Sequence, residues 1–241
     1  MKRVISNAEK SFGINTKQNL PFKNSIEIKN LTYYYPGTDK KIIDDVSFQI
    51  NSKDVVGIVG SSGAGKSTLI DLITGIILPN KGKILVDGLD IQKNIKDWQK
   101  KIGYVSQSIF LLDASIKENV AFGEEKKNID NDRVKKALEE AKILDYVNQL
   151  KDGIETVVGE KGLKLSGGQI QRIGIARELF RKPSILILDE ATSGLDEITE
   201  NELLECLEKI KYKTTILIVS HRKNTLKNCN KVIDLNKIRK F

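Results

Sequence analysis

One histidine and two cysteines are the whole supply of imidazole and thiolate metal ligands in this 241-residue sequence. That excludes a Cys/His metal cluster. Cys206 and Cys229 alone cannot form a disulfide framework, and a reducing compartment is expected. Aromatic residues are scarce, at 6%. No run approaches the roughly 18 apolar residues of a membrane span. The most apolar stretch, from Leu69 to Leu78, is short and carries Asp71. The N-terminus lacks the apolar centre of a secretory signal. The chain is therefore expected neither to cross a membrane itself nor to be secreted. Internal repeats and low-complexity tracts are also missing.

What is present is charge and a sizeable apolar fraction. Charged residues are 30% and hydrophobic residues 39%, the balance of a soluble globular protein. The length allows one large domain with a core of its own. Forty Lys+Arg against thirty-two Asp+Glu leave a formal charge of +8. The lysines are interleaved with acids, as between Lys93 and Lys101, so they predict a solvated surface rather than a nucleic-acid face.

Residues 1–23 are polar and read as an arm or linker, with the domain spanning 24–241. Residues 26–31 and 46–50 alternate apolar and polar, as half-buried strands do. Pro36-Gly37 is turn chemistry. Residues 54–59, 184–188 and 214–219 are short, β-branched apolar runs that predict strands buried on both faces. Residues 82–87, 102–106 and 231–235 are further strand candidates. Helical patterns cover 66–74, much of 113–150, 167–180 and 196–210. Within the second, Val134, Leu138, Ala141 and Val147 fit one face, with Asn131 or Asp132 as the expected cap. Buried strands alternating with helices predict an α/β domain with a largely parallel sheet and an inserted helical segment.

The run Gly60, Ser61, Ser62, Gly63, Ala64, Gly65, Lys66, Ser67 and Thr68 fits G-x-x-x-x-G-K-[ST] between a buried strand and a helix. Its glycines let backbone N–H groups turn inward around a phosphate, and the helix behind it aims its positive end at the same oxygens. Lys66 would reach the β- and γ-phosphates, and Ser67 would ligate Mg²⁺. The apolar run 185–188 ends in Asp189-Glu190. Acids at the C-terminal end of a parallel strand face the crevice where ligands bind. Asp189 would hold Mg²⁺ through water, and Glu190 would act as general base toward an attacking water. Leu165-Ser166-Gly167-Gly168-Gln169 opens a helix with consecutive glycines, a second place for an anion. One nucleotide does not need both from a single chain.

Residues 165–169 resemble the signature motif of ABC transporter ATP-binding domains, and 60–68 are similar to their Walker A loop. Tyr35, before Pro36-Gly37, resembles the aromatic residue that stacks on adenine. Gln107 in Gly103-Tyr104-Val105-Ser106-Gln107 resembles the glutamine loop, which senses Mg²⁺ and water and meets the membrane domain. Ser193-Gly194-Leu195-Asp196 resembles the D-loop, and His221 the switch histidine at the γ-phosphate. Residues 156–162 look like the loop that marks export-type members.

The resemblance covers about residues 25–235. It implies a P-loop NTPase (RecA-like) core with an antiparallel β subdomain and a helical subdomain inserted at about 109–181. It further implies ATP and Mg²⁺ as cofactors, with Ser67, Gln107 and Asp189 toward the metal. ATP would lie between the Gly60 loop of one chain and Ser166, Gly167, Gly168 and Gln169 of another, with Lys66, Gln107, Glu190 and His221 in catalysis. The expected partners are a second such domain, head to tail, and the transmembrane domain of an exporter at the cytoplasmic face of the cell membrane. Nucleic acid is not expected. The alternative is a soluble ATPase of the same family that acts on ribosomes or DNA.

Overall fold

The computed structural model describes residues 20–159, 162, 165–192 and 195–238. The first half of the chain runs β1 (Ser25–Tyr34), β2 (Lys41–Asn51), β3 (Val55–Val59), α1 (Lys66–Ile73), β4 (Lys81–Val86) and β5 (Leu89–Asp90). Next come α2 (Ile95–Lys100), β6 (Ile102–Val105), α3 (Ile116–Val120), α4 (Asn131–Glu140), α5 (Leu144–Gln149) and α6 (Gly167–Phe180). The chain closes with β7 (Ile185–Asp189), α7 (Glu197–Ile210), β8 (Thr215–Val219), α8 (Lys223–Lys227), β9 (Lys231–Asp234) and α9 (Leu235–Ile238).

Two sheets organise these elements. A four-stranded antiparallel sheet has the order β2-β1-β4-β5, and a five-stranded sheet has the order β6-β7-β8-β3-β9. Every pairing in the second is parallel. The unbroken apolar runs of its central strands follow from burial on both faces. On β7, Leu186 and Leu188 enter one core while Ile185 and Ile187 enter the other. On β8, Ile216 and Ile218 divide from Leu217 and Val219 in the same way. One core continues into α3 to α7, and the other into α1 and the antiparallel sheet. The period of two along each strand thus sorts side chains between two cores.

The region read as broadly helical, 113–150, is broken into α3, α4 and α5, which are five, ten and six residues long. Val134, Leu138, Ala141 and Val147 are all fully buried. The cap of α4 is neither Asn131 nor Asp132 but Asp130, whose carboxylate accepts from the amides of Asp132 and Arg133. Aspartate here takes the extended backbone conformation that an N-cap requires. The short helix α2 lies in the stretch 93–101 read as solvated surface, and it buries Trp98 completely. Trp98 Nε1 donates to the Ile73 carbonyl at 2.7 Å, so α2 is fastened to the end of α1.

Of the arm, residues 1–19 lie outside the described residues. The last four do not behave as a linker. Leu20 is fully buried, Phe22 packs edge-on against Trp98, and the amides of Lys23, Asn24 and Ser25 donate to the Asp87 carboxylate. Burial pulls the Asp87 pKa upward, but these three amides outweigh it and leave the carboxyl below its ordinary value.

Candidate nucleotide site

Strand order builds the site. β7, β8 and β3 are neighbours, so the segments that leave their C-terminal ends emerge side by side. The Gly60 loop follows β3, Asp189 and Glu190 finish β7, and Ser220 and His221 follow β8. Asp189 pairs with Val219 in register, so Glu190 and the Ser220-His221 segment leave the sheet side by side. His221 Nε2 lies 3.7 Å from Glu190 Oε1. Glu190 has a φ of 51°, left-handed for a residue with a side chain, and its amide donates to the Val219 carbonyl at 3.0 Å. Backbone strain of this kind persists where surrounding structure holds it, often at working sites.

The Gly60 loop is a cradle of backbone. Gly63 and Gly65 have φ of 75° and 90°. A Cβ on Gly65 would lie 3.0 Å from Ile42 Cγ2, and one on Gly60 only 2.8 Å from the Ala64 Cβ. Lys66, only 8% exposed, donates from Nζ to the carbonyls of Gly60 and Ser61, at 2.9 and 3.1 Å. The ammonium is thus held under the loop whose amides it would assist. Ser67 stands at the start of α1 and is exposed.

Tyr35, Ile42, Ser62, Gly63, Gly65, Lys66, Ser67, Thr68, Glu190 and His221 line one open cavity of about 380 Å³. Tyr35 stacks edge-on with Tyr33 at 5.1 Å, and its hydroxyl is 3.2 Å from Thr68 Oγ1. The cavity therefore runs from an aromatic ring, past a Gly-rich loop and a lysine, to a carboxylate and an imidazole. Mg²⁺ prefers hard oxygen donors, and the Ser67 hydroxyl on the cavity wall and the Asp189 carboxylate at the end of β7 are of that kind.

Gln107, Asp189 and residues 166–169 are not among the cavity's lining. Gln107 is exposed on the segment after β6. Asp189 accepts a 2.6 Å hydrogen bond from the Tyr104 hydroxyl. Ser166 caps α6 in a full capping box: its hydroxyl accepts from the Gln169 amide, and the Gln169 side chain accepts from the Ser166 amide. Ser166 and Gly167 are exposed, whereas Gly168 is buried. A Cβ on Gly168 would lie 2.2 Å from Thr199 Cγ2, so glycine lets the start of α6 rest against α7. Ser193 and Gly194 of the D-loop candidate lie outside the described residues. Its Asp196 caps α7 and accepts from Thr199, and those hydrogen bonds lower its pKa. Of the loop read at 156–162, residues 160 and 161 lie outside the described residues. Val157 bridges to Ser115.

Two features escaped the reading of the sequence. Glu200 on α7 is 4% exposed and accepts from Arg222 Nη1 and Thr225 Oγ1, both at 2.6 Å. Arg222 also donates to the Leu195 carbonyl at 2.9 Å. The residue next to His221 is thereby tied to α7; an arginine directly after the histidine was the available signal. The other is Asp71 on α1, whose carboxyl is raised above its ordinary pKa by burial first and by the Asp189 charge second.

The sequence profile described as ABC transporter matches residues 43–193, more than half of the chain. The chain belongs to the ABC transporter family. Among curated relatives of this ABC transporter chain, the mitochondrial ATP-binding cassette sub-family B member 10 of Mus musculus is 40% identical over 222 residues. That alignment covers 90% of this chain and 31% of the relative. The leukotoxin translocation ATP-binding protein LktB of Mannheimia haemolytica is 40% identical over 223 residues, covering 92% of this chain and 31% of LktB. The chain thus spans about a third of the length of these relatives. A solved bacterial Atm1-family ABC exporter with ATP bound superposes with a TM-score of 0.79 at 33% identity. It is matched over 97% of this chain and 42% of its own. The architecture is that of the ABC ATPase domain, an antiparallel sheet beside a parallel P-loop core.

Proposed function

We propose that this chain is the ATP-hydrolysing motor domain of an exporter and works as a head-to-tail pair. The observation that carries the reading is a division of the expected site. One cavity collects Tyr35, Lys66, Ser67, Glu190 and His221, while the exposed start of α6 at Ser166 lies outside it. A second copy turned end for end would bring its own Ser166 loop to the open side of that cavity.

In this reading the adenine stacks on Tyr35, and the triphosphate lies along the amides of residues 60–68. Lys66 turns its ammonium to the β- and γ-phosphates. Mg²⁺, held by Ser67, by Asp189 through water and by Gln107, would neutralise charge between those phosphates. Glu190 accepts a proton from water as its oxygen attacks the γ-phosphorus, and the bond to the β-phosphate oxygen breaks to leave ADP and phosphate. His221 contacts the γ-phosphate. Most of the catalysis is positional and electrostatic. Pairing and release of the two domains would then drive a transmembrane partner. Among the described residues no helix is long and apolar enough to cross a membrane.

Glu190→Gln tests the reading. The amide keeps the shape of the side chain but does not take the proton. Size-exclusion chromatography with light scattering should give the mass of two chains for this variant with ATP and of one chain without. A variant that stays monomeric at saturating ATP and high protein concentration would contradict the paired site.

A further inference from the structure

We propose that Tyr104 is a positioning residue for magnesium, its hydroxyl holding one oxygen of the Asp189 carboxylate so that the other is presented to the ion's water shell. This rests on reading residues 60–68 as the nucleotide site. It adds a residue from β6, a strand outside that loop and outside the acid pair.

The placement follows from the parallel register. Tyr104 on β6 pairs with Ile187 on β7, so both side chains leave the same face of the sheet. Asp189 lies two residues beyond Ile187 and shares that face. The tyrosine ring leans toward the C-terminal ends of the strands and reaches Asp189 Oδ2 at 2.6 Å. This is a short bond, as expected of a hydroxyl donating to a carboxylate. Burial, and then the Asp189 carboxylate it bonds, push the phenol above its ordinary pKa, so it keeps the proton it donates.

The same face is covered by α1. Ile187 shares a core with Leu69, Ile70 and Ile73 of that helix. Ser67 and Asp71 are four residues apart on α1 and so lie one above the other on one side of it. Asp71 is close enough to Asp189 for their charges to interact. Asp189 thus has a second acid nearby and needs a reason not to swing away from it. The last torsion of aspartate is broad, so packing alone does not fix the plane of the Asp189 carboxylate. The Tyr104 bond does.

Partners of metal ligands in other proteins change metal affinity by about 10–100-fold when removed. Tyr104 is 39% exposed, so Tyr104→Phe leaves the core intact. The measurement is calorimetric binding of a non-hydrolysable ATP analogue to the full chain, once with Mg²⁺ and once with EDTA. In the wild type Mg²⁺ should tighten binding. In Tyr104→Phe that tightening should shrink by about 10-fold, with affinity in EDTA unchanged. In an Asp189→Asn background, adding Tyr104→Phe should change nothing further, because the tyrosine acts through that carboxylate. An unaltered Mg²⁺ effect in Tyr104→Phe would overturn the inference and leave the nucleotide site standing. A larger Mg²⁺ effect would also overturn it, since the phenol would then compete with the ion. Absence of binding by the wild type in either buffer would instead remove the nucleotide site itself.

Discussion

Lys66 shows how much one side chain does here. It is buried, it sits at the positive end of α1, and its ammonium bonds two carbonyls of the loop it follows. Such an arrangement keeps a cation within reach of phosphate oxygens without letting it dissolve into solvent. Charge-assisted hydrogen bonds are worth about 1.5–3 kcal/mol each. Lys66→Ala should therefore lower ATP affinity by about 100-fold or more. Tyr35→Ala should cost about 1–3 kcal/mol, the usual range for stacking a base on an aromatic ring. Titration calorimetry distinguishes the two, and equal affinity in wild type and Lys66→Ala would remove the phosphate-loop assignment. At this scale Asp189 differs from its neighbour Glu190. Asp189 is already engaged by Tyr104, whereas Glu190 lines the cavity beside His221.

The turn from β8 into α8 is the element on which His221 depends. It is anchored by Glu200, a carboxylate taken out of water and satisfied by Arg222 and Thr225. Removing one member of a buried ion pair strands the other, typically at 3–5 kcal/mol. The Arg222 side chain is 36% exposed, so solvent softens the loss. Glu200→Ala is expected to destabilise the fold by about 2 kcal/mol and to lower turnover more than ATP affinity, since the phosphate loop is untouched. Urea unfolding and steady-state kinetics measure the two effects. An unfolding midpoint equal to that of the wild type would show that the anchor contributes nothing. The capping box of α6 is a second such device. It fixes where the exposed Ser166 and Gly167 stand, while the close fit of Gly168 on Thr199 ties that helix to α7.

For the whole molecule, the proposed pairing assigns the cavity and the Ser166 loop to different copies. If so, damage to one half should be repaired by the other half of a partner. Ser166→Arg in the Glu190→Gln background should bind ATP as a monomer and fail to pair with itself. The bulky cation blocks the facing cavity, but its own cavity is intact. Mixed with Lys66→Ala chains, it can form only one complete site, from its own cavity and the partner's Ser166 loop. Bound nucleotide stabilises association by mass action, so one site in place of two should give a weaker dimer than Glu190→Gln alone. Light scattering on the mixture gives the answer, and ATP-driven pairing of Ser166→Arg with itself would contradict the arrangement.

The local devices were legible in order along the chain. Glycine at fixed spacing with Lys66 and Ser67 named a phosphate loop because few other residues accept its left-handed turns. The apolar runs at 54–59, 184–188 and 214–219 named central strands because only burial on both faces tolerates them. The helix 167–180 was marked at its start by consecutive glycines. What periodicity could not supply was adjacency. Nothing local says that β8 lies between β7 and β3, and it is this order that carries Glu190 and His221 to the Gly60 loop. The same holds for Tyr104 on Asp189, Arg222 on Glu200 and Trp98 under Ile73, contacts separated by 85, 22 and 25 residues. Short α2 and the cap Asp130 were missed because charged, polar segments carry weak periodicity, and their placement was decided by what they pack against. The chain by itself therefore determined which chemical groups are available. Tertiary structure decided which of them meet, because strand order and register set distances that no spacing along the sequence encodes.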